Sequence, residues 1–133
     1  GAGCGGAKVA IYTPAGFSGR IAPDMSADPT LTFKADDSAS CGSLEGGVRR
    51  LKLRQSQPQD IQLTMTETPG EGLWFDRQLS LIVDGTTYAK GPSSTVTFEQ
   101  TGDRFHGAIF GSMVAVDGEK VSLSVDYNVP TCQ

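Results

Sequence analysis

Long apolar runs are missing from this chain of 133 residues. None approaches the roughly 18 to 20 residues that carry a helix across a bilayer, so no transmembrane helix is expected. A basic leader with an apolar middle is also missing, which leaves either a cytosolic protein or a chain that begins where a signal peptide was removed. Histidine is reduced to His106. With one imidazole and only three cysteines, a transition-metal site lacks ligands, and neither metal nor cofactor is expected. An excess of cations is missing too. The net charge of −4 repels phosphate backbones and anionic surfaces unless the cations are segregated, which makes nucleic acid a poor partner. Helical periodicity is almost absent.

Short alternations of apolar and polar residues stand between turn signals instead, the pattern of an antiparallel sheet with one wet face. "KVAIYT" (8–13) and "TLTFKA" (30–35) read as strands, separated by a segment with Pro14, Gly16, Gly19, Pro23 and Pro29 that is not expected to hold regular structure for long. "VRRLKLRQ" (48–55) puts Leu51 and Leu53 on one face and Arg50, Lys52 and Arg54 on the other. "DIQLTMTE" (60–67) repeats this with Ile61, Leu63 and Met65. In "QLSLIVDGTTYAK" (78–90), Asp84-Gly85 predicts a tight two-residue hairpin. "STVTFEQ" (94–100), a strand from 104 to 116 and "VSLSVDYNV" (121–129) form an expected meander, with Val121, Leu123, Val125, Tyr127 and Val129 on one face of the last strand. Gly107 and Gly111 predict a bulge or a close backbone approach. The chain is long enough for one core. About eight or nine short strands without a helix predict an all-β, antiparallel β-sandwich, with a small β-barrel as the alternative. Residues 7–133 are expected to form this single β-domain.

Cys41 lies between two stretches expected to be irregular, "ADDSAS" and "GSLEGG", and Cys132 is the penultimate residue. A bond between them would clamp the last strand to the body of the domain, contributing on the order of 4 kcal/mol in a chain-entropy model. Such bonds persist in oxidising compartments. Cys4 with Cys41 and Cys4 with Cys132 are the alternative pairings. Cys4 stands in "GAGCGG". Its "AGC" resembles the end of a bacterial lipobox, with Gly1 where that motif normally has leucine. The resemblance implies removal of a signal peptide, a diacylglycerol thioether on Cys4, palmitate-type acyl chains and a membrane anchor, with residues 1–6 as remnant and flexible tether. A disulfide within or between chains is the other reading of Cys4.

"VTFEQTGDRFHGAIFGSM" leading to "VSLSVDYNVPTC" resembles the C-terminal half of the mycobacterial 19 kDa lipoprotein antigen family. The likeness rests on Arg104, Phe105, Gly111 and Cys132, with Cys41 as the upstream partner. It covers about 40 residues as a pattern of turn, aromatic strand, small-residue run and terminal cysteine. The Ser/Thr-rich stalk of that family has no counterpart here. The resemblance implies a bacterial envelope lipoprotein.

Chemistry-bearing motifs are sparse. Alternation turns His106 to the face opposite Phe105, and "GFSGR" (16–20) lacks the G-x-S-x-G spacing of a nucleophile elbow. Asp36 and Asp37 read as solvated turn residues, and "TPGEGLWF" lacks the Lys-Ser/Thr ending of a phosphate loop. No catalytic residue is expected. Arg50, Lys52 and Arg54 either keep an edge or outer strand soluble and protected from pairing or bind an anionic lipid head or acidic partner. Trp74 and Phe75 either plug the end of the fold or form a recognition loop or the lip of a lipid pocket.

The expected function is that of a non-enzymatic, lipid-anchored envelope protein whose β-domain engages another envelope or host protein. The alternative is a carrier of an apolar or lipid ligand in a cavity lined by residues such as Trp74, Phe98 and Phe110.

Overall fold

The computed structural model describes residues 14–72 and 75–133. The described residues form ten strands: β1 Gly16–Ala22, β2 Leu31–Ala35, β3 Cys41–Glu45, β4 Val48–Gln55, β5 Ile61–Pro69, β6 Phe75–Val83, β7 Thr86–Val96, β8 Glu99–Thr101, β9 Arg104–Ala115 and β10 Lys120–Pro130. All ladders are antiparallel, in one sheet of order β2-β1-β10-β9-β7-β6-β5-β4-β3, with β8 attached to β9. The sheet curls into a half-barrel whose flanks face each other across one core. The all-β, antiparallel class expected from the alternation is therefore the class observed. "KVAIYT", Cys4 and the expected tether of residues 1–6 lie outside the described residues.

Alternation decides what faces inward. Leu51 and Leu53 on β4, Ile61, Leu63 and Met65 on β5, and Leu79 and Leu81 on β6 are buried. From β10, Val121, Leu123, Val125, Tyr127 and Val129 enter the same core. Each fully buried aliphatic side chain contributes roughly 1.5–3 kcal/mol. The Asp84-Gly85 hairpin forms as expected, with φ of 46° and 86°, the left-handed pair that matches strand twist.

Two strands run where the sequence predicts irregular chain. β1 occupies the stretch between Pro14 and Pro23, with Phe17 and Ile21 buried. Its central inward position is Gly19, where a Cβ would come within 2.5 Å of the Phe33 ring and 2.6 Å of the Ser124 carbonyl. Phe33 thus supplies from β2 the apolar bulk that β1 lacks. β3 is likewise hidden: its inward Gly42 faces the Phe105 ring, and Gly46-Gly47, with φ of 58° and 79°, turns it into β4.

β3 ends the strand path, yet the chain closes beside it. Gly42 bridges Thr131 in parallel, and the Cys132 N–H donates to the Gly42 carbonyl at 2.8 Å. Cys41 and Cys132 are disulfide-bonded, with Cα atoms 4.8 Å apart. Arg104 adds a second clip: Nε donates to Asn128 Oδ1 at 2.7 Å and Nη2 to Asp37 Oδ2 at 2.7 Å. The glycines expected to mark close approach do so. A Cβ on Gly107 would collide with the Thr97 carbonyl, and one on Gly111 would lie 2.7 Å from the Ser93 carbonyl, beside the register shift between Lys90 and Ser94.

Candidate functional site

The inward rows of β4, β5 and β6 do not stay apolar to the end. Two positions beyond Met65 the same face carries Glu67, two before Leu51 it carries Arg49, and two before Leu79 it carries Arg77. The ladders put these three directly across from one another, Arg49 opposite Glu67 and Glu67 opposite Arg77. Glu67 is only 1% exposed. Arg77 grips its Oε2 with Nε at 2.8 Å and Nη2 at 2.7 Å, while Nη1 donates to the Ser94 carbonyl at 2.8 Å. Arg49 Nη1 stands 3.7 Å from Oε1, which accepts no hydrogen bond.

Aromatic rings cover this row. The Arg49 guanidinium lies 4.5 Å above the Phe75 ring centroid and 6.0 Å from that of Phe98, within cation–π range. Phe75 is 40% exposed, so it roofs the charged row with one face and meets solvent with the other. Trp74 lies outside the described residues. On the far side, buried Tyr127 donates from its hydroxyl to the Thr97 carbonyl at 2.7 Å. Burial, with the nearby Glu67 charge as a lesser cause, pushes that phenol well above its ordinary range. Losing either partner of a buried ion pair of this kind leaves an uncompensated charge.

The outer face of β4 is the opposite case. Arg50, Lys52 and Arg54 are all exposed, on a strand held between β3 and β5 rather than at an edge. Among the described residues none of the three has an ion-pair partner, whereas Arg49, Arg77 and Arg104 each have one. Arg50 lies in a cross-strand row with Ser43, Thr66 and Gln78, and Lys52 with Thr64 and Ser80. Arg54 pairs with Gln62, which faces Ile82. No carboxylate interrupts these rows.

At the C-terminal end of β4, Gln55 turns inward and is 4% exposed. Its Nε2 donates to the Gln59 carbonyl at 3.0 Å, and its Oε1 accepts no hydrogen bond. Gln55 borders an open cleft of about 650 Å3 with Phe33, Lys34, Pro58 and Asp126, and a smaller one of about 370 Å3 with Lys34, Asp36 and Arg54. Asp36 accepts hydrogen bonds at Oδ1 from the Ser38 hydroxyl at 2.5 Å and N–H at 3.0 Å, which hold its carboxyl below the usual range.

The remaining expected site residues are dispersed. His106 faces outward and shares a hydrogen bond with the Thr101 hydroxyl at 2.9 Å. Phe98 packs on Phe105 with centroids 4.9 Å apart, while Phe110 is 42% exposed on the outer face, so these two do not line one cavity. The inward charged row went unrecognised in the sequence, although simple continuation of the alternation past Met65 marks Glu67. Compared with known families, curated proteins and solved structures, the chain matches none of them.

Proposed function

We propose that this chain is a non-enzymatic binding domain displayed outside the cytoplasm on a lipid anchor at Cys4. The observation that carries the reading is the Cys41–Cys132 disulfide, which ties the segment after β10 to β3 and is compatible with an oxidising compartment, where such bonds persist. The engagement of inward charges supports a binding role over catalysis: Glu67 is held by Arg77 and Arg49 within the wall of the fold. The resemblance to the mycobacterial lipoprotein antigens also favours this reading, and three of the residues that carry it belong to the clip, the core or the disulfide. Arg104 clips β10 to Asp37, Phe105 sits in the core, and Cys132 closes the disulfide. Under this reading the partner is an envelope or host component.

The test restores a signal peptide and expresses the chain in a lipoprotein-processing bacterium. Mass spectrometry is expected to find diacylglycerol on Cys4 and a linked Cys41–Cys132 peptide. Acyl chains contribute about 0.8 kcal/mol per buried methylene, so two or three give durable anchoring where one is marginal. Cys4→Ser is expected to move the protein to the soluble fraction without changing its unfolding midpoint. Cys4 found unmodified or in a disulfide overturns the anchor.

A further inference from the structure

The net charge of the chain is acidic, but its cations are sorted. Eleven cations stand against fifteen carboxylates, and three of those cations line one outward strand face with no carboxylate in their cross-strand rows. Segregation of this kind is the condition under which an acidic protein can still meet an anionic surface. Across β3, β5 and β6 the residues in register with the three are uncharged, among them Ser43, Gln62, Thr64, Thr66, Gln78 and Ser80, and the nearest carboxylates on this outer face, Glu45 and Asp76, stand one row beyond Arg50. Among its described residues this face offers no aromatic ring on which a sugar could stack.

β1 begins beside this face. A Cβ on Gly16, the first residue of β1, would lie against Ala35 and 3.0 Å from the Asp36 Cα, and Asp36 borders the same cleft as Lys34 and Arg54. Gly16 therefore lies near the Arg54 end of the basic row. Lys34 adds a fourth exposed cation there, with Asp36 as the one carboxylate in that cleft.

We infer that the outer face of β4 and β5 is a docking surface for an anionic phospholipid membrane, with Arg50, Lys52 and Arg54 as the contacts. The inference rests on the anchored reading for the source of the membrane, and it sets the outer face of β4 and β5 against the headgroups. Each cation near an anionic surface is expected to strengthen partitioning about fivefold, and the three together about a hundredfold.

The experiment uses full-length Cys4→Ser protein, so that acylation plays no part. Sedimentation with vesicles of equal parts phosphatidylcholine and phosphatidylglycerol is expected to show binding that weakens as salt is raised, and none to phosphatidylcholine alone. Adding Arg50→Gln, Lys52→Gln and Arg54→Gln is expected to reduce binding about a hundredfold. Equal binding by the parent and the triple variant overturns the inference, as does binding to an acidic polysaccharide through these residues without binding to vesicles. Failure here with diacylated Cys4 in the native protein would leave the anchor standing. Success with an unmodified Cys4 would do the reverse.

Discussion

Arg49 and Arg50 are neighbours in the chain and opposites in circumstance. Arg49 turns into the half-barrel, where it meets Glu67 at 3.7 Å and lies over the Phe75 ring. Arg50 turns out, exposed and without an ion-pair partner among the described residues. One strand thus carries two kinds of charge: an inward one whose partner comes from the next strand, and outward ones left for something outside the molecule. The pleat alone makes the division, since successive side chains point to opposite faces.

The sharpest way to break this comparison is Glu67→Ala. It leaves Arg77 and Arg49 facing each other across the vacated position, and losing one partner of a buried pair costs about 3–5 kcal/mol. Urea unfolding is expected to show a loss of that size, against almost none for Arg50→Ala. Similar small losses for both would mean that the inward row is as solvated as the outward one. Replacing Arg49, Glu67 and Arg77 together by Met, Leu and Leu is expected to restore most of the stability, because apolar packing can substitute for a buried ion triad.

Tyr127 marks the far edge of the charged row and supplies a pH-dependent version of the same contrast. Its folded-state ionisation lies above the ordinary value of 10.0, because burial disfavours the phenolate and Glu67 adds repulsion. Above pH 10 the unfolded chain therefore loses this proton while the folded chain keeps it. The contribution is fully present below pH 10 and is lost as pH rises beyond it. Tyr127→Phe is expected to cost about 1 kcal/mol at neutral pH through loss of the bond to the Thr97 carbonyl. The variant should also show a shallower fall in stability between neutral and strongly alkaline pH. An unchanged alkaline limb would mean that the hydroxyl ionises freely in the folded state.

How much of this was legible in the sequence depended on where the signal sat. β10 could be read residue by residue because every inward position from Val121 to Val129 is apolar, and all five are buried. Asp84-Gly85 announced its own turn through backbone geometry. β1 and β3 could not be read, because their central inward positions are Gly19 and Gly42 and the bulk that fills those places belongs to Phe33 and Phe105, on other strands. The charged row failed for a related reason. Glu67, Arg49 and Arg77 look like surface residues one strand at a time, and only the ladder register makes them a set. Alternation is local information, whereas neutralisation and void filling are agreed between strands far apart in the chain.

The smallest expected effect lies on the outer face. Arg50→Gln, Lys52→Gln and Arg54→Gln touch no partner among the described residues, and isolated surface substitutions usually stay within about 0.5 kcal/mol. The triple variant differs from the sum in one respect: it makes an already acidic chain more acidic by three charges, which increases self-repulsion in the compact state. That term acts at long range through solvent, so moderate salt should screen it. Thermal unfolding is thus expected to show a slight loss at low salt that disappears as salt is added. A loss that persists in high salt would show that the outward cations hold short-range contacts within the fold, and the contrast between the two faces of β4 would collapse.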